Sequence, residues 1–123
     1  MKNSEFKKEL EQRTKRFAVQ LINFLYKLPH NRILSVLVHQ VTKSGTSIGA
    51  NYREANRAES KKDFIHKVGI VEKEASETVY WIELLQEANV LDEEQKEGIL
   101  PLANEARELL ALFSSISRSA RNS

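Results

Sequence analysis

A serine between glycines, three histidines and a set of lysines and arginines are the residues of this 123-residue chain that could do chemistry. Gly45-Thr46-Ser47-Ile48-Gly49 fits the G-x-S-x-G pattern of a hydrolase nucleophile. That pattern works where a strand turns sharply into a helix, with a histidine and an acid brought in by later loops of a large sheet. The flanks here read as helix, and the chain is too short for that sheet. Ser44, Gly45, Ser47, Gly49 and Ala50 are instead expected to be small so that a neighbouring helix can come close. The histidines are His30, His39 and His66. A di-iron bundle needs two Glu-x-x-His motifs and two further inward carboxylates. Only Asp63-Phe64-Ile65-His66 approaches that form, and no H-x-x-x-H pair is present. Cysteine is absent, which excludes disulfides, thiolate metal sites and thiol nucleophiles. No catalytic residue, metal, cofactor or small-molecule substrate is expected.

Charge is unevenly spread. Residues 1–28 hold seven Lys/Arg against three Glu, and residues 29–59 hold four against two acids. Residues 60–91 and 92–123 each hold four against six. The basic first half offers Lys7, Lys8, Arg13, Lys15 and Arg16 as phosphate contacts for RNA or DNA. The same charges could be a solvated face, or could meet the acidic half of another subunit. No basic stretch is interleaved with aromatic residues for stacking on bases.

The elements that must hold these residues are helices. Four glycines and two prolines leave few turns, too few for a β-sandwich or a doubly wound α/β fold. Breaks fall at Pro29-His30-Asn31, Ala58-Glu59-Ser60 and Asn89-Val90-Leu91-Asp92. The segments between them carry apolar or small residues at alternating spacings of three and four. The first has Leu10, Thr14, Phe17, Leu21, Phe24 and Leu28; the second Leu34, Leu37, Val41, Ser44, Ile48, Asn51 and Ala55. The third has Phe64, Val68, Val71, Ala75, Thr78, Ile82 and Leu85; the fourth Ile99, Leu102, Ala106, Leu109, Phe113 and Ile116. This is the seam of helices packed nearly parallel to one another. Asn3 or Ser4, Asn31, Ser60 with Asp63, and Asp92 with Gln95 are the expected caps. Pro101 should kink the fourth helix or delay its start. Short connections make neighbours antiparallel, so residues 1–123 are expected to form one all-α, up-down-up-down four-helix bundle.

Two further features lie on these helices. Asn51 falls on the seam with Glu54 beside it, which predicts a buried polar network reaching Ser76 or Glu77 on the third helix. The third helix also has a second apolar stripe, Ile70, Trp81 and Leu84. The first adds Val19, Ile22 and Tyr26 outside its seam. A second stripe on a bundle helix predicts a second surface to bury, and so an oligomer. No segment is apolar and long enough to span a membrane, and the N-terminus has no apolar signal region. A cytoplasmic protein is expected.

The run Thr46-Ser47-Ile48-Gly49-Ala50-Asn51-Tyr52-Arg53-Glu54-Ala55, then Ser60-Lys61-Lys62-Asp63-Phe64-Ile65-His66-Lys67, then Lys73-Glu74-Ala75-Ser76-Glu77-Thr78 and Trp81-Ile82-Glu83-Leu84-Leu85, strongly resembles one bacterial family. Its members are four-helix-bundle proteins encoded within intervening sequences of the 23S ribosomal RNA gene. Many members have proline where this chain has Gly49, and Glu-Gly where it has Glu54-Ala55. The resemblance implies an antiparallel bundle that assembles into a ring, typically a homopentamer, with no known catalytic activity. A related group serves the reverse transcriptase of diversity-generating retroelements, where a basic pentamer meets nucleic acid. Two functions stay open at this point. One is a non-enzymatic ring that binds RNA or DNA through a basic face. The other is a structural or protein-interaction module with no nucleic-acid role.

Overall fold

The computed structural model describes residues 2–123. It contains α1 (Lys2–Tyr26), α2 (Arg32–Ala55), α3 (Lys61–Glu87) and α4 (Glu93–Asn122), and no strand among the described residues. At 1.5 Å per residue these helices are roughly 36–45 Å long.

The ends follow from local chemistry. Past Tyr26 the α1 ladder tightens, with Lys27 N–H bonding Phe24 O at 3.3 Å and Leu28 N–H bonding Leu25 O at 3.1 Å, before Pro29 forbids continuation. Asn31 caps α2 by accepting from Leu34 N–H at 2.9 Å. Ser60 caps α3 by accepting from Asp63 N–H, while the Asp63 carboxylate accepts from Glu59 N–H at 3.2 Å. Asp92 and Gln95 form a full capping box on α4. Two expectations change. Asn3 and Ser4 are already helical and cap nothing, because α1 begins at Lys2. Pro101 does not delay α4, which starts eight residues earlier and runs through it. Pro101 and Glu97 are both exposed, so the carbonyl deprived of its N–H partner is on the solvent side.

All four glycines, Gly45, Gly49, Gly69 and Gly98, are helical, and no described residue has positive φ. Glycine therefore serves packing here rather than turning. A Cβ on Gly45 would collide with Leu21, and one on Gly49 would lie 3.0 Å from Thr14 Oγ1. The small stretch of α2 thus lets α1 come close, as its composition suggests.

Helices contact one another in the cyclic order α1–α2–α3–α4–α1, and the diagonal pairs do not meet. Contacts fix the directions. Thr14 approaches Gly49 while Leu21 approaches Gly45. Ser44 bonds Thr78 while Tyr52 and Phe64 share a cleft. Arg13 pairs with Glu105 while Phe24 lies against Gly98. Glu83 pairs with Arg107 while Lys61 bonds the main chain of Ser123. Every adjacent pair is antiparallel, so α1 and α3 run the same way at opposite corners.

The core is the expected seam with systematic changes. Leu25, Tyr52 and Ser117 are buried, while Phe24, Asn51 and Ile116 are only partly so. Each time the core passes to the next residue late in a helix. A helix of 3.6 residues per turn drifts against a 3.5-residue seam, and that drift accounts for the step. Tyr52 packs edge-on against Phe113, ring centroids 5.1 Å apart.

Candidate nucleic-acid interface

Five cations of α1 are the sequence candidates, and the fold treats them differently. Lys7, Lys8 and Lys15 are exposed and make no ion pair among the described residues. Arg16 pairs at 3.2 Å with Glu9, both exposed. Arg13 is committed elsewhere. Its guanidinium grips Glu105 through two bonds of 2.7 and 2.8 Å and reaches Glu108 at 3.0 Å. The Glu105 hydrogen bonds are the main reason its pKa is raised further above the usual guanidinium range, against the effect of burial. Arg13 therefore ties α1 to α4.

The bundle also gathers cations that α1 alone does not reveal. The starts of α1 and α3 and the ends of α2 and α4 lie together around a cleft of about 580 Å³. Residues 2–11, 52–66 and 113–123, which build this end, hold nine Lys/Arg against six Asp/Glu. Arg57, Lys61, Lys62, Arg118 and Arg121 are all exposed there with Lys7 and Lys8. Residues 20–38 and 80–101, which build the far end, hold three against six. The charge asymmetry seen along the sequence becomes a polarity along the bundle axis. The missed residues sit in three separate segments, and only the antiparallel order unites them.

The expected polar network is not formed. Asn51 donates to Ser47 O of its own helix at 2.8 Å, and Glu54 and Ser76 are exposed. Glu77 is half-buried and bonds none of them. The reason is the drift that puts Tyr52, rather than Asn51, in the core. The buried polar link between α2 and α3 is the hydroxyl pair Thr78 Oγ1 and Ser44 Oγ, 3.0 Å apart, with Thr78 donating to Glu74 O at 2.7 Å. Between α1 and α2, Asn56 donates to Glu11 at 2.9 Å. Burial is the main cause raising the Tyr52 phenol pKa, opposed by the nearby Asn56 amide.

The chemistry-bearing motifs find no machinery. Ser47 Oγ donates to Lys43 O at 2.6 Å within α2. All three histidines are exposed, and among the described residues no group of His, Asp and Glu could hold a metal. No described helix is long and apolar enough to cross a membrane. Of the second-stripe residues, Val19, Ile22 and Tyr26 are exposed, Tyr26 to 85%. Ile70, Trp81 and Leu84 are half-buried, Trp81 lying against the core.

The model of the family described as 23S rRNA-intervening sequence protein matches residues 7–112. The chain belongs to that family. It is also similar to a crystal structure from Bacteroides thetaiotaomicron, described as a protein with unknown function from the S23 ribosomal protein family. The two are 38% identical, with a TM-score of 0.77, over 91% of this chain and 97% of that one. No curated protein matches the chain. The family and the neighbour agree with the four-helix fold, and the resemblance seen in the α2 and α3 motifs is sound.

Proposed function

We propose that this member of the 23S rRNA-intervening sequence protein family is a non-catalytic bundle that works as a ring of copies, five by family resemblance. In this reading it binds structured RNA or DNA through the cationic end of the bundle. The observation that carries the reading is the axial polarity. Lys7, Lys8, Arg57, Lys61, Lys62, Arg118 and Arg121 are exposed at one end, and the acids of α4's first turns lie at the other. Such an end attracts phosphates without reading bases, because it offers cations and no row of exposed aromatic rings. A ring would repeat this weak patch several times on one side, and linked weak contacts gain by avidity.

The test is fluorescence anisotropy with a labelled RNA hairpin and a DNA duplex across a salt series. Affinity should fall steeply as salt rises. Replacing Lys7, Arg57, Lys61 and Lys62 with glutamine should weaken binding to both ligands. It should also flatten the salt slope by about one for each phosphate no longer neutralised. Binding unchanged in that variant would move the site off this end. No binding at low salt would leave the interaction module without a nucleic-acid role as the better reading.

A further inference from the structure

The first helix carries a second seam as regular as its core seam. Lys8, Gln12, Lys15, Val19, Ile22 and Tyr26 follow spacings of four, three, four, three and four, and every one is exposed. The third helix repeats the pattern with Ile70, Glu74, Glu77, Trp81, Leu84 and Ala88, at the same spacings in the same order. Spacing of this kind lines residues along one side of a helix, the arrangement that pairs helices in coiled coils. The bundle's own core leaves the α1 stripe exposed and most of the α3 stripe half-buried, with Trp81 packed against the core.

We propose that the α1 stripe of one copy packs in parallel against the α3 stripe of the next copy, with Lys15 opposite Glu77 and Val19 and Ile22 opposite Trp81 and Leu84. This rests on the ring assembly proposed above and names the surfaces that build it. Four observations support it. First, aligned in parallel, the stripes match apolar with apolar in their second halves. In their first halves Lys8, Gln12 and Lys15 meet Ile70, Glu74 and Glu77, which sets cations on one side and carboxylates on the other. Set antiparallel, they would put Lys15 against Trp81, and Val19 and Ile22 against Glu77 and Glu74, whereas the parallel register leaves only Lys8 against an apolar residue, Ile70. Burial and the charge of Glu77 both push the Glu74 carboxyl pKa upward in the single subunit, so an incoming cation would relieve an existing cost.

Second, α1 and α3 of one bundle point the same way. Copies related by rotation about an axis along the bundle therefore present α1 parallel to the neighbour's α3, as the matching requires. Third, α1 and α3 of one copy sit at opposite corners and cannot satisfy each other. Fourth, parts of both stripes border α2, although Glu77 also shares a groove with Leu110 and Ser114 of α4. Lys15 shares a groove with Thr46, Ala50 and Arg53 of α2. Glu74 and Trp81 are four residues before and three after Thr78, whose hydroxyl meets Ser44 of α2. Mating faces inclined to one another close a ring, whereas opposed faces make a fibre. The ring would carry α2 inside and α4 outside, with every cationic end on one side.

The natural chain has no cysteine, so engineered pairs report cleanly. Ile22→Cys with Leu84→Cys, and separately Gln12→Cys with Glu74→Cys, should give a ladder of covalent oligomers on mild oxidation. Tyr26→Cys with Ile70→Cys, which would meet only in the antiparallel register, should not. Lys15→Glu should raise the concentration needed for assembly about tenfold, and adding Glu77→Lys should restore it. Light scattering on each variant separates the failures. An assembly that forms yet yields neither ladder, or yields the control ladder equally, overturns the pairing and leaves ring assembly standing. A monomer at every concentration overturns both.

Discussion

Gly45 and Gly69 occupy the same kind of backbone and should respond oppositely to alanine. At Gly45 the new Cβ meets buried Leu21, whereas at Gly69 nothing lies within 4 Å. Overpacking costs about 1–3 kcal/mol and alanine's helix propensity returns about 1, so Gly45→Ala should lose up to about 2 kcal/mol in denaturant unfolding. Gly69→Ala should gain up to about 1 kcal/mol. Ser47→Ala should change neither stability by more than about 0.5 kcal/mol nor any activity, and a fluorophosphonate probe should label no serine. The pH dependence at Asp63 has a definite sign. Hydrogen bonding from Glu59 N–H, and then Lys67, hold its carboxyl below the ordinary value of 3.8. Its stabilisation is present above that value and is lost as pH falls through the lowered folded pKa. Asp63→Asn should therefore lower the melting temperature at pH 7 and make no difference in strong acid. At this scale the sequence was a mixed guide. It placed Asn51 in the core and left Tyr52 out. A seam counted at 3.5 residues per turn selects the wrong neighbour once a straight helix has drifted by one position.

Elements were the most legible level. Caps at Asn31, Ser60 and Asp92 and the stop at Pro29 bound three of the four helices within a residue or two, because each is a local chemical signal. Two signals misled. Asn3 and Ser4 have capping side chains but lie within α1, and Pro101 breaks one hydrogen bond without ending α4. How helices join was less visible. Thr78 and Ser44 were placed in the seam, yet their hydrogen bond follows only from the antiparallel register. Thr78→Val keeps the shape and removes that bond, leaving Ser44 with only its 3.4 Å approach to Val41 O. It should cost about 1–2 kcal/mol in chemical denaturation. Arg13→Ala should loosen α1 where it meets α4, the least extensive helix pairing in the bundle, and raise hydrogen exchange along α1 before α3.

For the whole molecule, the fold could be read from composition, breaks and seams, whereas the candidate interface could not. Lys7 and Lys8 are visible as a basic segment. Arg57, Lys61, Lys62, Arg118 and Arg121 join them only when four helix ends are brought together. The polarity that results matters most if copies stand side by side and point the same way, since the cationic ends then form one surface. Self-assembly is thus the premise on which the proposed function depends. It is tested most directly by sedimentation equilibrium of the purified protein at micromolar concentration. Ring assembly predicts a single species of several times 14.1 kDa, with five copies expected from family resemblance. A species that remains at 14.1 kDa across the concentration range would contradict it.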